Sequence, residues 1–210
     1  MTSAYVPGIR ERKKKETRNR LARAAVELTS LHGLETATIA AISERADVSS
    51  RTFHNYFPHR DAAIMHYLEY IVERDIEYLQ SLPKGMHPVD VMRSVRENCH
   101  EKLFPEQACD HFSELESLFL DIRSSAQVDV QKECFRLLMR YAQALSQYTE
   151  GRLSPFNSYM FINASIATIK SAQVLNYFGR EESLLEEFGM KVDDPQERAL
   201  DILREGFPNY

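Results

Sequence analysis

Glycine and proline are scarce, at 7 and 8 in 210 residues, and alternating β-branched runs are nearly absent, so collagen-like, low-complexity and sheet-rich classes are excluded. No apolar run approaches the ~18 residues that a membrane helix needs. The basic N-terminus is not followed by an apolar stretch or a small-residue cleavage site, so a cytoplasmic protein without a signal peptide is expected. Three cysteines, Cys99, Cys109 and Cys134, are an odd number at irregular spacing, which argues against a disulfide framework and fits a reducing compartment. Catalytic signatures are missing as well: there is no G-x-S-x-G, H-E-x-x-H, glycine-rich phosphate loop or Cys-x-x-Cys. Catalytic groups need not be sequence neighbours, but nothing here predicts an enzyme or a cofactor.

What is present is charge divided along the chain. The net charge is −5, yet residues 1 to 60 hold 11 Lys and Arg against 6 Asp and Glu, and the rest hold 15 against 25. A basic head on an acidic body is expected when one end meets a polyanion. Hydrophobic spacing then predicts an all-α chain. From Lys15 a helix places Leu21, Ala24, Ala25, Leu28 and Leu31 on one face and stops at Gly33. A second, short helix follows Thr38 as N-cap, with Ile39, Ile42 and Ala46 in register. After a turn at Asp47 and Val48, Ser49 caps a third, which Pro58 closes. A long helix begins near Arg60, and further helices are expected at roughly 88–104, 109–124, 126–150, 156–178 and 195–206.

The third short helix lies in VSSRTFHNYFPHR, residues 48 to 60. Val48, Phe53 and Phe57 share one face, which leaves Ser50, Arg51, Thr52, His54, Asn55 and Tyr56 outward. Two short helices joined by a tight turn form a helix-turn-helix, whose second helix enters the major groove of DNA. The outward side chains suit that role, since Arg51 can pair bidentately with guanine, Ser50 can bond several bases, and the Thr52 methyl can meet a thymine methyl. His54, Tyr56 and Arg60 suit phosphate oxygens. Ahead of the first helix, Arg10, Arg12, Lys13, Lys14 and Lys15 are expected to form a basic arm, residues 1–14, which follows the backbone or enters a minor groove.

Residues 16 to 62, through Thr38-Ile39-Ala40-Ala41-Ile42, Ala46-Asp47-Val48-Ser49 and Thr52-Phe53-His54-Asn55-Tyr56-Phe57 to Arg60, resemble the DNA-binding domain of the tetracycline-repressor (TetR) family of bacterial transcription regulators. The resemblance implies a three-helix DNA-binding domain at 15–60 and a helical ligand-binding and dimerisation domain at 61–210. It further implies a homodimer released from a near-palindromic double-stranded operator by a small-molecule effector. DNA contacts then fall on Thr38, Ser49, Ser50, Arg51, Thr52, His54, Tyr56 and Arg60, with Asn55 a further base contact. Asp47 stands where the family usually has glycine; aspartate tolerates a left-handed backbone better than most residues.

The acidic body, rich in aromatics and methionine, can enclose a pocket between helices. Candidate lining residues are Met92, Phe104, Phe112, Leu115, Phe119, Phe135, Met139, Tyr159 and Phe161, each of a type that also fills cores. Ala164, Ala167, Ser171 and Ala172 recur at helical spacing beside Ile162, Ile166, Ile169 and Leu175, and small residues let helices approach closely. By the resemblance, the helices near 156–178 and 195–206 build the dimer. Cys99-His100 and Cys109-x-His111 raise the alternative of a metal- or redox-sensing regulator, but their spacing departs from that of structural zinc sites, and no metal is expected. An architectural DNA-binding protein without a ligand is a further alternative, which so large a body disfavours.

Overall fold

The structure, a computed structural model, describes residues 8–103, 118, 119, 122, 123, 125, 127–178 and 194–205. Among these, every regular element is helical. Helix α1 spans Ile9–His32, α2 Ile39–Arg45, α3 Ser50–His54, α4 Arg60–Ser81, α5 Pro88–Leu103, α6 Val128–Tyr148, α7 Pro155–Phe178 and α8 Pro195–Glu205. Phe104, Phe112, Leu115, Cys109 and His111, and most of the helix expected at 109–124, lie outside the described residues, as do the side chains of Cys99 and His100.

The boundaries follow from chemistry at the helix ends. Thr38 accepts the Ala41 amide on its hydroxyl at 3.2 Å to start α2, and Ser49 accepts the Thr52 amide at 3.1 Å to start α3. The His59 ring caps α4 through Nδ1, which accepts the Ala62 amide at 3.1 Å. Ser154 caps α7 and Asp194 caps α8, each followed by a proline in the first helical position, where its missing amide costs nothing. Helix α1 ends at Gly33, whose φ of 82° no β-carbon would favour.

Among the described residues, the start of α1 differs from expectation by more than two residues. Helix α1 begins at Ile9 rather than Lys15, with Glu11 accepting the Gly8 amide at 3.3 Å. Arg10, Arg12, Lys13 and Lys14 therefore sit on helical turns continuous with the rest of α1, not on an extended arm. Nothing between residues 9 and 15 breaks a helix, since the segment holds no glycine or proline and its charged side chains have good helix propensity.

The chain divides into two compact units. The first comprises residues up to Ile71 together with Leu118–Cys134; the second comprises Val72–Ser117 and Phe135–Tyr210. In the first, α1 packs on α2 and α2 on α3 around Leu21, Ala25, Ile42, Phe53, Phe57, Ile64 and Leu68, all buried. In the second, α8 packs on α7 and α5, over a core that includes Leu79, Val95, Leu145, Ile162, Ile169 and Leu200. Arg93 on α5 ties α8 down: it bonds Glu197 at 2.9 Å and Asp90 at 3.0 Å and lies 3.6 Å from Asp201, while Arg204 also reaches Asp90.

Candidate nucleic-acid interface

Helix α3 is too short to be stable alone, so its placement depends on what lies behind it. Phe53 is fully buried and Phe57 nearly so, their centroids 5.9 Å apart. Phe57 also meets the His66 ring at 5.7 Å and carries the Arg18 guanidinium 5.1 Å over its face. The turn into α3 is closed by Val48, whose amide donates to the Ser43 carbonyl at 2.9 Å. Asp47 adopts φ of 51° there, a left-handed conformation that aspartate tolerates better than most residues.

With its apolar side fixed, α3 shows its polar side to solvent. Ser50, Arg51, His54 and Asn55 are exposed, and Thr52 and Tyr56 are partly so. Ser49 and Thr52 face each other at 2.9 Å between hydroxyl oxygens, which commits both hydroxyls to the cap. Thr38 likewise spends its hydroxyl as a cap, at an exposed position.

Arg60, read from the sequence as suited to phosphate oxygens, makes hydrogen bonds within its own unit. It is half-buried, and its Nε donates to Asp61 at 2.9 Å while Nη1 donates to the Leu34 carbonyl at 2.5 Å. An unmade bond to a backbone carbonyl in a tight turn is costly, and an arginine that begins α4 is within reach of the turn before α2.

Helix α1 joins two residues of the expected basic arm, Arg12 and Lys15, to four that the sequence reading did not single out. Arg12, Lys15, Glu16, Asn19, Arg20 and Arg23 line an open cleft of about 490 Å³. Their spacing of three and four residues puts them on one helical face, a periodicity that becomes legible once α1 is known to start at Ile9. Asn19 anchors this face against α4 through His66 Nε2 at 3.1 Å.

Of the proposed ligand-lining residues that are described, Phe119 is buried in the first unit, and Met92, Phe135, Met139, Tyr159 and Phe161 belong to the second. Met92 is buried, with its sulfur 3.8 Å from the Tyr141 hydroxyl. Phe135 is 53% exposed and meets Tyr159 edge-on at 5.8 Å. Among the described residues, no group of three His, Cys, Asp or Glu is arranged to hold a metal, and no helix is long and apolar enough to cross a membrane.

Residues 21–62, which run from the buried face of α1 through α2 and α3 into α4, match the model of the tetR family of bacterial regulatory proteins. The N-terminal head of this chain is similar to the TetR-family DNA-binding region. It is 34% identical over 86 residues to the HTH-type transcriptional regulator TcmR of Streptomyces glaucescens, covering 41% of this chain and 38% of that protein. It is 27% identical over 143 residues to the HTH-type transcriptional repressor KstR of Rhodococcus jostii, covering 67% of this chain and 66% of that one. The alignments thus span less than two thirds of either relative. A transcriptional regulator from Rhodococcus sp. Rha1 superimposes with a TM-score of 0.58 at 20% identity, over 89% of this chain and 92% of that one. Thermus thermophilus FadR, a TetR-family transcriptional repressor solved with lauroyl-CoA, does so at 0.52 and 21% identity, over 90% and 94%. At these identities the structures show a shared fold over most of this chain and no more.

Proposed function

We propose that this protein is a homodimeric, sequence-specific transcription regulator of the cytoplasm, a repressor that leaves a near-palindromic operator when a small molecule occupies its C-terminal helices. The observation that carries the proposal is the polar, exposed face of α3 held over a fully buried Phe53. A helix so anchored fits a major groove about 12 Å wide. Ser50, Arg51, the Thr52 methyl and Asn55 read base edges, while His54 and Tyr56 meet phosphates. Thr38 and Ser49 contribute chiefly by capping the helices that approach the DNA, and Arg60 by bracing the turn at Leu34. The cationic face of α1 adds phosphate contacts from a preformed helix, so these contacts follow the backbone rather than enter a minor groove.

The dimer is built by α7 and α8. Helix α7 carries apolar residues on more than one side, and an exposed apolar side is a contact surface. One side holds the buried Ile162, Ile166 and Ile169; the other exposes Phe156, Met160, Ala164, Ala167, Ser171 and Val174 at intervals of three and four. A second copy of the same stripe covers that side and places two α3 helices one DNA turn apart, about 34 to 36 Å. The effector is met in the second unit, where Met92, Phe135, Met139, Tyr159 and Phe161 are candidate contacts. The name of KstR as a repressor and the acyl-CoA held by the Thermus protein of the same fold support a ligand-responsive repressor.

The test is selection of bound duplexes from random DNA, followed by a compound screen for release of the selected site. A palindromic consensus is expected. Enrichment of no sequence above background would overturn the reading.

A further inference from the structure

The segment around Ser125, remote in sequence from α1–α3, clusters with them in the first unit. Its Ser125 hydroxyl donates to Asp61 Oδ2 at 2.5 Å, and both residues are buried. Asp61 Oδ1 accepts from Arg60 Nε, and Arg60 Nη1 donates to the Leu34 carbonyl. On the other side, Ser125 is held by Gln131, whose Nε2 donates to the Ser125 carbonyl at 2.6 Å, and by the Gln127 amide, which donates to the Ser125 hydroxyl at 3.2 Å. These bonds form an unbroken chain. It runs from the first turns of α6, through the start of α4, to the turn that precedes α2.

Each link has a reason to be stiff. A buried carboxyl that lost one donor would keep an unsatisfied oxygen, and Arg60 joins two acceptors through a planar fork. Leu34 lies in the connection from α1 into the helix-turn-helix, so where Arg60 holds this carbonyl bears on how α2 and α3 sit against α1.

We infer that Asp61 and Ser125 are positioning residues for DNA reading: their hydrogen bond fixes Arg60 on the Leu34 carbonyl and thereby sets the presentation of the α2–α3 pair. Neither touches DNA. The inference rests on the proposed DNA-binding function and adds that operator recognition depends on a residue outside the helix-turn-helix. It requires Ser125 to matter for discrimination between sequences, whereas the general attraction to phosphate, which depends on exposed cations, is unaffected.

The experiment uses the full-length protein, a duplex selected from random DNA and an unrelated duplex of equal length. Ser125→Ala is expected to weaken binding to the selected duplex about tenfold and leave the unrelated duplex within about twofold. Ser125→Thr, which keeps the hydroxyl, restores the selected affinity. Asp61→Asn provides a second variant, which loses the carboxylate that holds Arg60 and is expected to show the same selective loss. Circular dichroism at the binding temperature identifies any variant that fails to fold, and the remaining folded variant then decides the outcome. Equal affinities of folded Ser125→Ala and wild type for the selected duplex would overturn the inference, as would parallel losses on both duplexes. Failure of the wild-type protein to select any sequence would instead overturn the DNA-binding reading itself.

Discussion

Arg51 and Arg60 show how one residue type takes two duties within ten positions. Arg51 is exposed on α3, whereas Arg60 spends two nitrogens inside its own domain. Arg51→Ala is therefore expected to cost about 1 to 3 kcal/mol of operator affinity and relax preference at one base position, measured by competition among single-base variants of the selected site. Uniform weakening across variants would make Arg51 a phosphate contact instead. In a third charged residue burial outweighs a neighbouring cation. Asp75 is pushed up to about 7 by desolvation, against the pull of Arg74; its Oδ1 lies 3.6 Å from Arg74 Nη2 and, among the described residues, accepts no hydrogen bond. The folded state holds this proton more tightly than the unfolded chain, so the stability it confers is complete below the ordinary value of 3.8 and lost as pH rises through about 7. Asp75→Asn removes the need to bury a charge. Its stability advantage over wild type is expected to be larger at pH 8 than at pH 5 by denaturant titration, on the order of a few kcal/mol.

At the scale of elements, short helices depend on their caps more than long ones do. Helix α3 spans only Ser50–His54, and its N-terminal amides are served by Ser49. Ser49→Ala is expected to destabilise the folded protein by about 0.5 to 2 kcal/mol, read from its urea midpoint; no change would mean that Phe53 and Phe57 alone hold α3. Caps and the α3 apolar face were legible because they are local, with every partner within four residues. The start of α1 was less so. Charged residues at Arg10–Lys15 fit a solvated arm and an exposed helix equally well by composition, and continuity with the buried Leu21–Ala25 face decides for the helix. The bracing role of Arg60 was not legible at all, because its partner at Leu34 is a backbone carbonyl, which carries no side-chain signature.

For the whole molecule, the question is what covers α7. The row from Phe156 to Val174 exposes three large apolar side chains, Phe156, Met160 and Val174, on one face, and exposed apolar patches mark contact surfaces. Ala167→Arg puts a charge and a long side chain into the middle of that row. It is expected to shift the protein from dimer to monomer by sedimentation at micromolar concentration and to reduce operator affinity, since two half-sites bound by one dimer gain from effective concentration. A wild-type monomer under the same conditions would refute the dimer.

The sequence by itself determined the all-helical class, the caps of α2 and α3, the inward Phe53 and Phe57, and the family of the head, because each depends on periodicity or contact within a few residues. Only the tertiary structure decided that Arg60 bonds the Leu34 carbonyl, that Ser125 closes on Asp61 from 64 positions away, and that Phe135 is about half exposed. The physical reason is common to all three. Hydrogen bonds to buried carboxyls and backbone carbonyls, and the exposure of an aromatic ring, are settled by which distant segments pack together, and that leaves no period in the chain.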